Sequence, residues 1–449
     1  MNFPTAFEHR VKLDPFLGED LLVALNSESP VSVRINPPKM KGTEMRNVLE
    51  QVSWCNHAFY LKERPSYTLD PLFHAGCYYP QEAGSMVLDQ VLRSIDLPQS
   101  PVILDLCAAP GGKSTLITSF LDGKGLLISN EVIQARSRIL RENMTKWGKS
   151  NVVVTNNDPK DFQRLSHFFD AVVIDAPCSG EGMFRKDPDS RNEWTEDNVQ
   201  LCAARQKRIV ADVWDTLKPG GYLIYSTCTF NRDENEDNIE FIRRELEAEL
   251  YEFEQELPIL RGRERIGYYC IPAKTESEGF YIAVLKKPEG VQTKTKLSVK
   301  KEIRPLSGKE IQTLADFVAT DGHRFFQWNE NVLAFPEEQS DHMLHVISNM
   351  RIVKAGTMVG EISRKGLIPH EELALSADLC IYDTRIEVDR EQALHYLHGD
   401  TYTLKGQQGF NLITYKAIPL GWIKHLGNRF NNLYPKDWRI RMSITSKNT

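Results

Sequence analysis

The sequence predicts an α/β fold: a parallel sheet covered by helices on both faces, flanked by smaller modules. Three observations carry this expectation. Between Pro101 and about Pro288, short apolar runs alternate with helical patterns, the signature of strand-helix-strand units. The first four apolar runs end in or just before an acid, as strands that open onto a ligand crevice do. The composition, 41% hydrophobic and 26% charged with 27 Gly and 23 Pro, is that of a globular protein and excludes disordered, collagen-like and coiled-coil classes. At 449 residues, with roughly 150 per domain, about three domains are expected.

Residues 1–97 are mixed, and Pro30, Pro37, Pro38, Pro65, Pro71 and Pro80 interrupt their helical stretches, which suits a separate small N-terminal module. The block 98–288 follows. Its buried strands are expected at Val102–Leu106, Leu126–Ser129, Val152–Val154, Ala171–Ile174 and Tyr222–Tyr225. Helices are expected at Gln134–Trp147 and Thr195–Leu217, the latter closed by the Lys218-Pro-Gly-Gly221 stop. A last run, Phe280–Leu285, is expected as an edge strand. From Lys286 to Arg304 seven basic residues and two acids stand among Thr and Ser, so 289–304 reads as a linker. Two further globular segments, 305–390 and 391–449, complete the chain.

No run approaches the roughly 18 apolar residues of a membrane span, and the N-terminus lacks a basic start followed by an apolar stretch. A cytoplasmic, monomeric protein without membrane contact is therefore expected. The eight cysteines form no C-x-x-C pair and have no histidine at ligand spacing, so neither a metal site nor a disulfide framework is expected. A net charge of −6 argues against nucleic acid globally, but global charge hides patches. Asn411–Thr449 holds seven Lys or Arg against Asp437 alone, a net +6.

The loop after the first strand, Leu104-Asp-Leu-Cys-Ala-Ala-Pro-Gly-Gly-Lys-Ser-Thr115, ends like a phosphate-binding loop. That motif needs glycine at 107, where this chain has Cys107. A tight turn of small residues behind an acid also suits a nucleoside cofactor, because the backbone can approach the ligand. Glu131, Asp158 and Asp175 stand at the next three strand ends. Several acceptors and no phosphate cradle point to S-adenosylmethionine, whose ribose and amine require acceptors. Any single acid could instead be a helix cap.

Asp175-Ala-Pro-Cys-Ser-Gly180 follows the fourth strand and Ser226-Thr-Cys-Thr229 the fifth, so both thiols emerge at the carboxyl edge beside that loop. Carbon 5 of a pyrimidine is a poor nucleophile until something adds at carbon 6, and a thiolate is suited to add and later leave. The alternative is that Cys178 and Cys228 are buried packing cysteines.

Cys107–Lys113, Asp175–Gly180 and Ser226–Thr229, in that order, resemble the signature set of the Sun-type RNA cytosine-5 methyltransferases. Arg34-Ile-Asn36, Tyr79-Pro-Gln-Glu82, Pro419-Leu-Gly-Trp422 and Tyr434-Pro-Lys436 are similar to the RsmF (YebU-like) branch, bacterial enzymes that methylate cytosine in 16S ribosomal RNA of the small subunit. The loop departs slightly, with Gly-Gly-Lys where close relatives often have Gly-Ser-Lys. The resemblance implies a Rossmann-like class I methyltransferase domain with a small N-terminal RNA-binding module and a C-terminal PUA-like RNA-binding region. It assigns Cys107, Ala108, Ala109, Pro110, Gly111, Gly112, Lys113, Glu131, Asp158 and Asp175 to S-adenosylmethionine. It assigns the nucleophile to Cys228 and a later step, C5 proton removal or product release, to Cys178.

A structured RNA must have its base unstacked into such a pocket, which needs aromatic and basic neighbours. Phe184-Arg-Lys186 is a candidate, as are Trp422, Lys424, His425, Arg429, Phe430, Tyr434, Lys436, Trp438, Arg439 and Arg441 in the tail. A tRNA cytosine-5 methyltransferase and a non-catalytic RNA-binding assembly factor are the alternatives. A DNA cytosine-5 enzyme would use the cysteine after the fourth strand as nucleophile, and Cys228 argues against it.

Overall fold

The computed structural model of the chain describes residues 2–40, 45–253, 257–291, 297, 299 and 302–444. Residues 292–296, 298, 300 and 301 of the expected linker lie outside the described residues, as does Lys447 of the basic tail.

The N-terminal part forms a four-stranded sheet from β1 (Val31–Ile35), β2 (Val48–Gln51), β3 (Ala58–Leu61) and β4 (Tyr78–Pro80), in the order β2-β3-β1-β4. Next come β5 (Val102–Asp105), β6 (Leu126–Asn130), β7 (Val152–Thr155), β8 (Phe169–Asp175) and β9 (Leu217–Thr227). Each contains one of the five expected runs. They pair in parallel in the order β7-β6-β5-β8-β9. Their sequences are continuously apolar because both faces are covered: Val102 and Leu104 enter one core while Ile103 enters the other. The strand order reverses between β5 and β8, which opens the crevice into which the loops after β5, β8 and β9 project. The Rossmann-like α/β expectation holds.

The helix Gln134–Trp147 has the expected bounds and stops at Gly148 in the left-handed region. The other long helix runs Glu196–Val213, with the Thr195 hydroxyl capping it by accepting from the Asn198 N–H at 3.1 Å. Lys218-Pro-Gly-Gly221 ends the helical stretch, but these residues already belong to β9, whose pairing with β8 slips between Phe169 and Ala171.

Strands β10 (Glu249–Tyr251), β11 (Leu260–Arg261), β12 (Tyr268–Cys270) and β13 (Phe280–Lys286) extend the sheet. β13 pairs antiparallel with β9, but it is not the edge expected of it, because β10 and β12 cover its outer side. Two three-residue strands carry too little periodicity to be read from sequence.

The segment after 302 contributes β14 (Ile303–Pro305), β15 (His323–Trp328), β16 (Asn331–Pro336), β17 (Ile352–Ala355), β18 (Thr357–Ser363) and β19 (Gly366–Pro369). Five of these form their own sheet, while β17 leaves it and pairs antiparallel with β7, completing a ten-stranded central sheet. The last sheet holds β20 (Arg385–Glu387), β21 (Gly409–Tyr415), β22 (Ile418–His425) and β23 (Phe430–Asn432). It shares one apolar core with the N-terminal sheet, where Val33, Ile35 and Tyr78 meet Leu394, Tyr396 and Ile423. The helix Thr5–Leu13 packs instead on the catalytic block, with Phe7 and Phe184 edge to face at 5.0 Å.

Candidate active site

The loop after β5 turns tightly at Gly111, whose φ of +118° favours glycine, and the helix Gly112–Leu121 starts immediately after it. A Cβ on Gly111 would stand 3.3 Å from Leu140. Helix Gln134–Trp147 clamps the loop: Arg136 Nη2 donates to the Ala109 carbonyl at 2.7 Å and Asn143 Nδ2 to the Pro110 carbonyl at 2.7 Å. Asn130, at the end of β6, ties three loops together. Its Nδ2 donates to the carbonyls of Leu106 and Asn157, and its Oδ1 accepts from Thr155 Oγ1 and the Asn157 N–H.

The acids behave differently from one another. Asp105 is fully buried; Oδ2 accepts from Ser114 Oγ at 2.6 Å, while buried Oδ1 has no partner among the described residues. Burial pushes its pKa up to about 7, against the pull of the Ser114 hydrogen bond and Lys113. Glu131 is buried, with Oε1 accepting from the Ile133 N–H at 2.8 Å and Oε2 3.6 Å from Arg136. Asp158 caps the turn Pro159–Leu165, so one of its oxygens serves the backbone. Asp175 Oδ2 pairs with Lys113 Nζ at 2.8 Å and Oδ1 accepts from Ser226 Oγ at 3.0 Å. Burial lowers the Lys113 ammonium, but Asp175 and Asp105 more than offset it and hold it protonated. Lys113 is thus committed to a carboxylate rather than to a phosphate cradle.

An orphaned acceptor at Asp105, a small-residue loop and Glu131 directly after β6 fit the expected nucleoside cofactor. Val132 and Ile133, 55% and 50% exposed, follow Glu131 and add an apolar surface for a nucleobase face. Sequence reasoning passed over them because exposure is not readable from an apolar pair.

Cys178 and Cys228, fifty positions apart, stand with their sulfurs 3.2 Å apart, and the Cys228 N–H also donates to Cys178 Sγ at 3.4 Å. The hydrogen bond to Cys228, then burial, then the nearby charges of Cys228 and Glu234 raise the Cys178 pKa well above that of an ordinary thiol. Either sulfur can donate across this contact. Two buried carboxylates hold the turns that carry them. Glu234 accepts from the Ser179 N–H at 3.0 Å, from Gln206 Nε2 at 2.7 Å and from Asn231 Nδ2 at 2.7 Å. Glu181 accepts from the Phe230 N–H and Trp194 Nε1, both at 3.0 Å, and pairs with Arg10 at 2.6 Å. Asn231-Arg-Asp-Glu-Asn235 gave no such signal, since a polar run reads as an exposed turn.

Arg34 enters from β1. Buried, it donates to Gln81, Ser119, Thr115 and the Gly112 carbonyl, docking the N-terminal sheet on the helix Gly112–Leu121.

Several residues expected to meet RNA are core residues instead. Phe184 is fully buried against Phe3 and Phe7, because the N-terminal helix covers the turn that was expected to be open. Arg185 is tied to Glu278 at 2.9 Å, and of that triplet Lys186 alone is exposed. Trp422, His425 and Tyr434 are buried in the C-terminal sheet region, Trp422 donating to the His370 carbonyl at 3.0 Å. Lys424, Arg429, Lys436 and Arg441 remain exposed, and Phe430, Trp438 and Arg439 are partly so.

Comparison with known proteins matches three family models along the chain. Residues 93–286 match the 16S rRNA methyltransferase RsmB/F model, 3–83 the N-terminal domain of 16S rRNA methyltransferase RsmF, and 383–440 the methyltransferase RsmF PUA domain. A ribosomal RNA small subunit methyltransferase F from Shewanella loihica is 32% identical over 437 residues, covering 90% of this chain and 88% of the relative. The crystal structure of a methyltransferase homolog protein from Pyrococcus horikoshii superposes with a TM-score of 0.55 at 27% identity, covering 64% of this chain and 96% of that one. NSun6 from Pyrococcus horikoshii, solved with SFG, has a TM-score of 0.55 over 64% of this chain and 99% of its own; at 22% identity it speaks to the fold alone.

Proposed function

Because the chain belongs to the 16S rRNA methyltransferase RsmB/F family, we propose that it methylates carbon 5 of a cytosine in 16S ribosomal RNA, with S-adenosylmethionine as donor. The observation that carries the cytosine-5 chemistry is the pair of sulfurs 3.2 Å apart at the crevice. When bound at the β5 loop, S-adenosylmethionine supplies an electrophilic methyl group on its sulfonium. Cys107–Lys113 line its approach, with Glu131, Asp158 and Asp175 as acceptors around it. Cys228 Sγ, as thiolate, adds to C6 of the cytosine, which places an electron pair at C5, the atom that takes the methyl group. After transfer Cys178, as thiolate, takes the C5 proton; that C–H electron pair forms the C5–C6 double bond as the Cys228 thiolate is expelled from C6.

The test is labelled methyl transfer from S-adenosylmethionine to unmodified 16S RNA and to free small subunits, with the product mapped by nucleotide and atom. Label at an exocyclic amine or a ribose oxygen would overturn the cytosine-5 reading.

Glu131→Ala is expected to weaken S-adenosylmethionine binding by roughly 1 to 3 kcal/mol, the range for losing a buried acceptor. Calorimetry measures it, with ATP as the comparison; ATP binding more tightly than S-adenosylmethionine would reinstate the phosphate-loop reading.

RNA recognition by the C-terminal region has a similar test, although the shared core changes its design. Deleting 391–449 would expose the apolar faces of β1 and β4, so loss of binding could reflect unfolding. Charge reversal of exposed Lys424, Arg429, Lys436 and Arg441 avoids this. It is expected to lower RNA affinity and flatten its salt dependence while leaving cofactor affinity intact. Unchanged RNA affinity would assign recognition elsewhere on the chain.

A further inference from the structure

We propose that the groove between the N-terminal sheet and the methyltransferase face holds the single-stranded nucleotides flanking the target base, a proposal that rests on RNA being the substrate. The groove, about 560 Å³, runs from Lys62, Arg64 and Tyr67 on the N-terminal side to Arg185 and Lys186 on the catalytic side.

Parts of its lining adjoin the helix after β5 and the thiol turns. Gln81 lies 3.6 Å from where a Cβ on Gly112 would stand, at the start of the cofactor helix. Glu278 lies two residues before Phe280, whose ring faces Lys113 Nζ at 5.0 Å. Arg185 follows Gly182, whose N–H donates to the Cys228 carbonyl at 2.8 Å.

The charges also fit a polyanion, because the acids of the groove are mostly occupied while, Arg185 apart, its cations are not. Glu82 accepts from the N–H groups of Gly84, Ser85 and Glu278 at 2.6, 2.8 and 2.8 Å. Glu278 is paired with Arg185, and Glu63 accepts from Asn47 Nδ2 at 3.4 Å. Glu28 remains, at the end shared with a neighbouring cavity lined by Pro272 and Lys274. Among the described residues no ion pair is formed by Lys62, Arg64 or Lys186, and all three are exposed. Arg64 lies 5.8 Å above the half-buried Tyr67 ring, a pairing of cation and π-face that also accepts an unstacked base.

Full-length protein carrying Lys62→Glu, Arg64→Glu and Lys186→Glu together tests this, measured against unmodified 16S RNA over a range of salt. Affinity is expected to fall by roughly tenfold or more, and the slope of log K against log salt to shrink by about 2, at about 0.7 per lost phosphate contact on a single strand. The charge-keeping set Lys62→Arg, Arg64→Lys and Lys186→Arg should restore both, which separates lost charge from lost folding. Independently, 4-thiouridine placed beside the target cytosine should crosslink to the peptide containing Tyr67 or to the one containing Lys186. If wild type binds RNA and transfers methyl groups while the charge-reversed protein keeps its affinity and slope, or if the crosslinks map elsewhere, the groove assignment is wrong. A wild type that neither binds RNA nor transfers methyl groups overturns the activity reading, and this one with it.

Discussion

Cys228→Ala is expected to abolish methyl transfer and to form no covalent complex with RNA. Without a thiolate to add at C6, C5 of cytosine never acquires the electron pair that attacks the methyl group. The rate should drop at least about 10⁴-fold, equivalent to more than about 5 kcal/mol of barrier. Cofactor binding should persist, because Cys228 lies in the turn after β9 and the cofactor acceptors stand on other loops. Single-turnover transfer with labelled S-adenosylmethionine and a denaturing gel of the same reaction give both readouts. Near wild-type transfer would mean that the thiol packs rather than reacts.

Cys178→Ala should give the opposite gel. Addition and methylation can still proceed, but the step after transfer has lost its agent, so protein covalently linked to RNA should accumulate while turnover falls. The geometry supports an asymmetric pair. The two sulfurs stand 3.2 Å apart, and the hydrogen bond to Cys228, then burial, raise the Cys178 pKa well above that of an ordinary thiol. Such a group is a poor first nucleophile; once Cys228 Sγ is bonded to C6 the hydrogen bond that raises its pKa is lost, so Cys178 releases its own proton to solvent and, as thiolate, takes the C5 proton. Adduct trapped in Cys228→Ala but not in Cys178→Ala would reverse the assignment and align the chemistry with the DNA enzymes. Transfer surviving both substitutions would make the thiols structural.

How much of this was legible beforehand depended on the range of the interaction. The five parallel strands and the helix Gln134–Trp147 were readable because burial on both faces imposes an unbroken apolar run and a helix imposes its own period. The tight turn after β5 was readable because the small residues Ala108 to Gly112 permit it, with Gly111 in the left-handed region. The two cysteine turns were readable for the same local reason, each following a strand in a parallel sheet.

What tertiary structure alone decided was every property set by a distant partner. Phe184 looked like an RNA contact until the N-terminal helix was seen to bury it, and Trp422 until its indole was found donating to His370. Asn231 and Glu234 carry no sequence signal, yet they anchor the thiol turns because Ser179 and Gln206 come to them from elsewhere in the chain. β17 sits two hundred residues from β7 and adds to its edge, and the terminal sheets share a core that the sequence order gives no reason to expect. Local periodicity records which side of an element is apolar. It holds no information on which other element covers that side, and burial, ion pairing and the juxtaposition of Cys178 with Cys228 all follow from that choice.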